Sequence, residues 1–201
     1  MLSKTNSILN LKDENFSIIC NNCLGGFIYQ HYNIEYRTPT LGLFFLARDY
    51  VKFLSDIKFY LSKELEFIKP NESMYYEDFK NSELSMEFPI AKLYDIEIFF
   101  MHYKNEEEVI EKWTRRIDKI NWNDLIIVFA ENETCNLEII KQFDALPFSN
   151  KICFTRDDHK EIKSSCFIEE MKDPKRLWDV ETIMKHFNIT EFINNRSKQL
   201  K

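Results

Sequence analysis

Apolar positions along the chain mark out short strands alternating with amphipathic helices. Phe16-Ser-Ile-Ile-Cys20 is a β-type run stopped by Asn21-Asn22 and then by Gly25-Gly26, after which Phe27 to Tyr32 resume at helix-compatible spacing. The pattern predicts strand, turn and helix. A second apolar run, Leu43-Phe-Phe-Leu46, follows Thr38-Pro39-Thr40 and Gly42, and Val51, Leu54, Ile57, Leu61 and Leu65 then recur at three- and four-residue steps, predicting one helix. Residues 69–88, with Pro70, Asn71, Asn81 and Ser82, read as a surface excursion that is either a lid or an insertion.

Beyond Pro89, Ile96 to Tyr103 is a strand candidate. Asn105 followed by Glu106, Glu107 and Glu108 is an N-cap with acids in the first helical turn, and Val109, Trp113, Ile117 and Ile120 form the apolar stripe. Leu125 to Ala130 is a near-continuous apolar run of the kind buried on both faces of a parallel sheet, and Leu137, Ile140 and Phe143 follow at helical spacing. Lys151–Thr155 and Ser165–Ile168 are further strand candidates, and Val180, Ile183, Met184 and Phe187 mark a C-terminal helix. This alternation predicts a single α/β domain over residues 1–201, a three-layer α/β/α, Rossmann-like arrangement with a mostly parallel sheet.

Composition supports that picture, since 44% apolar and 15% aromatic residues supply a core and exclude intrinsic disorder. The formal charge of −6, from 33 acidic and 27 basic residues spread along the chain, disfavours general nucleic-acid binding. No stretch approaches the ~20 apolar residues of a membrane span and the start lacks a signal-peptide core, so a cytoplasmic protein without a transmembrane segment is expected. Five cysteines, an odd number with three in apolar or strand-like surroundings, read as reduced packing residues.

Candidate chemistry concentrates near the first turn. The chain has only three glycines, Gly25, Gly26 and Gly42, where average usage would give roughly 14. Glycine permits close approach, and a helix start offers free N–H groups to a phosphate or carboxylate, so Asn21, Asn22, Gly25, Gly26, Thr40 and Gly42 are candidate ligand-binding residues. The same glycines equally serve a tight turn and close helix–sheet packing. C-N-N-C-L-G-G matches neither the phosphate loop nor the dinucleotide fingerprint, and the residues assign no cofactor. Cys20 and Cys23 form a C-x-x-C, but no second C-x-x-C or H-x-x-x-H supplies further metal ligands, and no metal site is predicted.

His102, at the end of a strand candidate, is the leading acid/base candidate, because ligands gather beyond the carboxyl ends of parallel strands. A histidine merely hydrogen-bonded at a strand end is the alternative. Arg115 and Arg116 have forks suited to a phosphate or sugar carboxylate, although Glu108 to Lys112 and Glu111 to Arg115 have the spacing of ordinary helix-surface pairs. Asp144, between apolar neighbours near a helix end, is either a buried catalytic acid or a turn-former. Tyr29 and Tyr36 flank the glycine segment as candidate stacking residues, whereas Trp113 belongs to the core.

Asn21-Asn22-Cys23-Leu24-Gly25-Gly26, Thr38-Pro39-Thr40 with Gly42-Leu43-Phe44, His102-Tyr103 with Trp113 and Arg115-Arg116, and Phe143-Asp144-Ala145-Leu146-Pro147-Phe148 occur in that order. Together, over roughly residues 16 to 156, they resemble the bacterial domain-of-unknown-function family nineteen-nineteen, often labelled exopolysaccharide or capsular polysaccharide biosynthesis protein. The family commonly has an aromatic where this chain has Leu24 and a serine where it has Cys20. The resemblance implies an α/β fold and a surface-glycan pathway, and it brings no reaction with it. The resulting expectation is an enzyme, such as a transferase, acting on a sugar or sugar-nucleotide ligand. A non-catalytic scaffold for a polysaccharide assembly partner and a redox or metal protein built on Cys20 and Cys23 are the alternatives.

Overall fold

A computed structural model describes residues 11–80, 86–173 and 179–198. Its first half runs β1 (Ser17–Cys20), α1 (Leu24–Tyr32), α2 (Ala47–Ser55), α3 (Ile57–Leu61), β2 (Leu65–Ile68), α4 (Tyr76–Lys80), β3 (Ile90–Leu93) and β4 (Ile96–Phe99). There follow α5 (Glu106–Ile117), β5 (Leu125–Ala130), α6 (Leu137–Ala145), β6 (Lys151–Thr155), β7 (Ser165–Phe167), α7 (Val180–Met184) and α8 (Ile189–Asn194). Short 3-10 turns occupy Pro70–Glu72 and Glu169–Lys172.

The fold is mixed α/β, and the described residues form two sheets. One is fully parallel in the order β1-β5-β6-β7; the other is antiparallel in the order β2-β3-β4. Successive side chains of a strand point to opposite faces, so the parallel sheet feeds two cores. Ile19, Ile127, Phe129 and Cys153 pack with Tyr50, Phe53, Ile140 and Phe143 from α2 and α6. Ile18, Cys20, Ile126, Val128 and Phe154 pack with Leu24, Ile28, Ile183 and Ile193 from α1, α7 and α8.

The apolar run Leu43–Leu46 makes one antiparallel bridge, Phe44 to Phe99, and leads directly into α2. Two sequence expectations change. The helix expected through Leu65 breaks at Asp56, whose carboxylate accepts from the Phe59 N–H (3.1 Å) and caps α3, and Leu65 belongs to β2. Ile96 to Phe99 is a strand, but it lies in the antiparallel sheet as the second arm of a hairpin whose turn places Tyr94 at φ 63°.

The excursion is tied down at its described part. Asp49 on α2 accepts from the Glu97 N–H (2.8 Å), and Glu97 accepts from Ser73 Oγ (2.5 Å) and the Met74 N–H (2.9 Å), all three side chains being buried. Phe79 and Phe88 stack edge-on against Phe44. Residues 81–85 of the excursion lie outside the described residues. No helix among the described residues is long and apolar enough to cross a membrane.

Candidate functional site

The turn after β1 is organised by its side chains. Asn21 is buried, and its carboxamide donates to the Ala130 carbonyl (2.9 Å) while accepting from the Ala130 N–H (2.8 Å), strapping the ends of β1 and β5 together. Asn22 Oδ1 accepts from the Leu24 N–H (3.0 Å) at the start of α1, where Cys23 provides no side-chain cap. Gly25 faces the strand so closely that a Cβ there would lie 2.8 Å from Cys20 Cβ, and only glycine lets α1 pack at that distance.

A second set of contacts positions the loop from Thr38 to Gly42. Thr40 Oγ1 accepts from the Cys20 N–H (3.1 Å), and Thr38 and Thr40 hydroxyls lie 3.0 Å apart. Gly42 has φ +69°, a left-handed conformation that side chains avoid, and its carbonyl accepts from the His102 N–H (2.9 Å). Tyr103 Oη donates to the Leu41 carbonyl (2.7 Å) and accepts from Arg116 Nη1 (2.6 Å).

These contacts leave a cleft of about 270 Å³. One side is α1, with Cys23, Gly26, Phe27 and Gln30; the base is the Leu41-Gly42 loop with Tyr36. His102 and Tyr103 after β4, with Lys112 and Arg116 of α5, complete it. Lys112 Nζ is bonded to Glu108 Oε1 (2.5 Å) and lies 5.5 Å from the centre of the Tyr103 ring. Among the described residues Arg116 has no carboxylate partner and is held by the neutral Tyr103 alone. Burial raises the Tyr103 hydroxyl's pKa and outweighs the opposing pull of Arg116, so at neutral pH the contact is between a guanidinium and an uncharged phenol.

The structure thus brings Gly26, Tyr36, Gly42, His102 and Arg116 to one cleft. Other candidates have their polar groups engaged elsewhere. Asn21 and Thr40 bond main chain, and Tyr29 is buried with its hydroxyl accepting from the Ile18 N–H (3.0 Å). Asn22 spans the helix start, and Gly25 is a packing position. Arg115 is exposed and paired with Glu111 (3.6 Å), off the cleft. Asp144 accepts from the Ser164 N–H (2.9 Å) at the end of α6; burial raises its pKa, but the Ser164 hydrogen bonds and the nearby Lys151 outweigh this and hold it below the ordinary carboxylate value.

The C-x-x-C has little reactive character in this setting. All five cysteines are free, burial pushes the Cys20 thiol up to about 12, and burial also raises Cys23. Among the described residues no group of three or more His, Cys, Asp or Glu is placed to hold a metal ion.

Sequence reasoning missed Lys112, Tyr103, Phe27 and Gln30. One signal was present. The i,i+4 pairs Glu108–Lys112 and Glu111–Arg115 both form, and Arg116 has a lysine, Lys112, at its own i−4 position and no acid there.

Fold and site define an α/β protein with a small cation-bearing cleft between the first helix of its parallel sheet and the helix after its antiparallel sheet. The chain belongs to the DUF1919 family, a domain of unknown function, which matches residues 2–197. It is similar to an "Uncharacterized protein" of Haemophilus influenzae (strain ATCC 51907 / DSM 11121 / KW20 / Rd), at 29% identity over 170 residues, covering 85% of this chain and 76% of the relative.

Proposed function

We propose that the protein is an enzyme acting on an activated sugar, with the cleft holding an anionic group of the substrate and His102 moving a proton. The observation that carries this reading is Arg116, a half-buried guanidinium on the cleft with no carboxylate partner among the described residues. An unneutralised cation beside a cleft attracts an anion, and its remaining donors suit two oxygens of one phosphate or carboxylate. His102 lines the same space, its backbone fixed to Gly42 and the residue exposed, so that its imidazole is within reach of a ligand in the cleft. A role in surface-glycan synthesis, and any partner in a polysaccharide assembly system, rests on the sequence resemblance alone. The two cores also support reading the parallel sheet as the middle of three α/β/α layers.

Thermal-shift and calorimetric titration with sugar phosphates and nucleotide sugars tests the proposal. Arg116→Gln is expected to weaken binding at least tenfold, in line with the loss of a charge-assisted hydrogen bond of about 1.5–3 kcal/mol. His102→Ala should keep binding and lose turnover. Absence of any response at millimolar ligand refutes the reading, and ligand binding without turnover in the unaltered protein would point to a non-catalytic binding domain.

A further inference from the structure

Two of the exposed large hydrophobic side chains, Phe27 (39% exposed) and Tyr36 (36%), border the cleft that carries Arg116 and Lys112. Single exposed apolar side chains are ordinary on any surface. Two aromatic rings sharing a small cleft with two cations form a combined polar and apolar surface. Tyr36 is also braced for contact. Its ring meets that of Tyr29 edge-on at 5.6 Å, and its hydroxyl accepts from Gln30 Nε2 (3.1 Å). Tyr29 is itself locked by the Ile18 N–H, so the Tyr36 ring is held against a fixed support. A ring held in this way loses little conformational freedom when a ligand lies against it.

The cations come from the other element. Lys112 and Arg116 lie one turn apart on α5, so a charged group and a ring on one molecule meet different sides of the cleft. At about 270 Å³ the space is slightly below the usual ~300–1,000 Å³ of ligand pockets, enough for one ring and one phosphate and too small for an extended chain.

We infer that the cleft binds a phosphate monoester of a ring compound, with Arg116 taking the phosphate and Phe27 and Tyr36 taking the ring. This deepens the anion-binding reading and rests on it. The ring is a sugar whose apolar face lies on the aromatics or a nucleobase that stacks on them, and one titration series separates the two.

The experiment is calorimetric titration of the full chain at one ionic strength with methyl phosphate, glucose 1-phosphate and uridine 5′-monophosphate. At least one ring-bearing ester is expected to bind more tightly than methyl phosphate, and stacking of a base on an aromatic side chain corresponds to a gain of about 5- to 150-fold. A larger gain for glucose 1-phosphate assigns the sugar; a larger gain for the uridine ester assigns the base. The double variant Phe27→Ala/Tyr36→Ala should lose the gain and keep the methyl phosphate affinity, while Arg116→Gln weakens all three ligands by a similar factor. Equal affinities for the three esters in the unaltered protein overturn the ring assignment and leave the anion reading standing, as does a gain that survives the double variant. Failure of all three to bind overturns both.

Discussion

Asn21→Ala removes both hydrogen bonds between the Asn21 carboxamide and the main chain of Ala130, at 2.9 and 2.8 Å. Ala130 is fully buried, so its N–H and C=O would be left without partners where water does not reach. Orphaning a buried polar group costs about 1–3 kcal/mol, and with some relaxation around the smaller side chain the pair sums to about 3 kcal/mol. For a chain of this length that unfolds as one unit, this corresponds to a fall of about 6–12 °C in Tm. Urea denaturation read by circular dichroism at pH 7 measures the loss directly. Asn21→Asp sharpens the test, because a carboxylate still accepts from the Ala130 N–H but repels the Ala130 carbonyl. That variant should be less stable than wild type at pH 7 and recover part of the difference at lower pH, where the carboxyl protonates and can donate again. A loss below about 1 kcal/mol for Asn21→Ala would refute the strap. Retained stability with abolished ligand binding would return Asn21 to the ligand-binding set.

Two further outcomes are expected. Gly42→Ala should cost about 1–2 kcal/mol, because φ +69° penalises any side chain and the new Cβ would sit 3.3 Å from His102 Cβ and from the Tyr103 ring; it should also weaken ligand binding in a titration, and unchanged affinity would mean that the loop does not position the cleft. Asp49 has its carboxyl raised above the ordinary 3.8 chiefly by burial, so the native state keeps this proton to higher pH than the unfolded chain does, and the associated stability is full below 3.8 and lost as pH rises through the raised native value. Asp49→Asn should therefore gain in stability relative to wild type between pH 4 and pH 7, and a difference that stays flat with pH would dismiss the burial argument.

The parallel sheet was legible because its central strands are buried on both faces: Leu125–Ala130 and Lys151–Thr155 are near-continuous apolar runs, and β1 was announced by the asparagines and glycines after it. The antiparallel sheet was not. Its β3–β4 turn uses Tyr94 at φ 63° where a glycine or asparagine would have signalled a hairpin, and β2 continues the three- and four-residue apolar spacing of the helices before it, so periodicity alone could not separate them. For the site, glycine scarcity pointed to the right region, yet spacing could not say which polar groups were already occupied. Asn21 and Thr40 look like ligand donors in the sequence and are used up by main chain that folding brings to them. Arg116 looks like its neighbour Arg115 until the helix turns one toward Glu111 and the other toward Tyr103.

The Asn21–Ala130 strap joins positions 109 apart in the chain. Among the described residues β1 pairs only with β5 in the parallel sheet, so it has no strand partner until the antiparallel sheet and α5 have been synthesised. Closing so long a loop is entropically expensive and slow compared with local pairing. The β2-β3-β4 meander needs no such closure and can assemble within its own stretch of chain. The antiparallel meander is then free to form before the parallel sheet closes, and Ser17 to Cys20 stay an unpaired apolar segment until β5 has been made, the kind of exposed strand edge that chaperones shield.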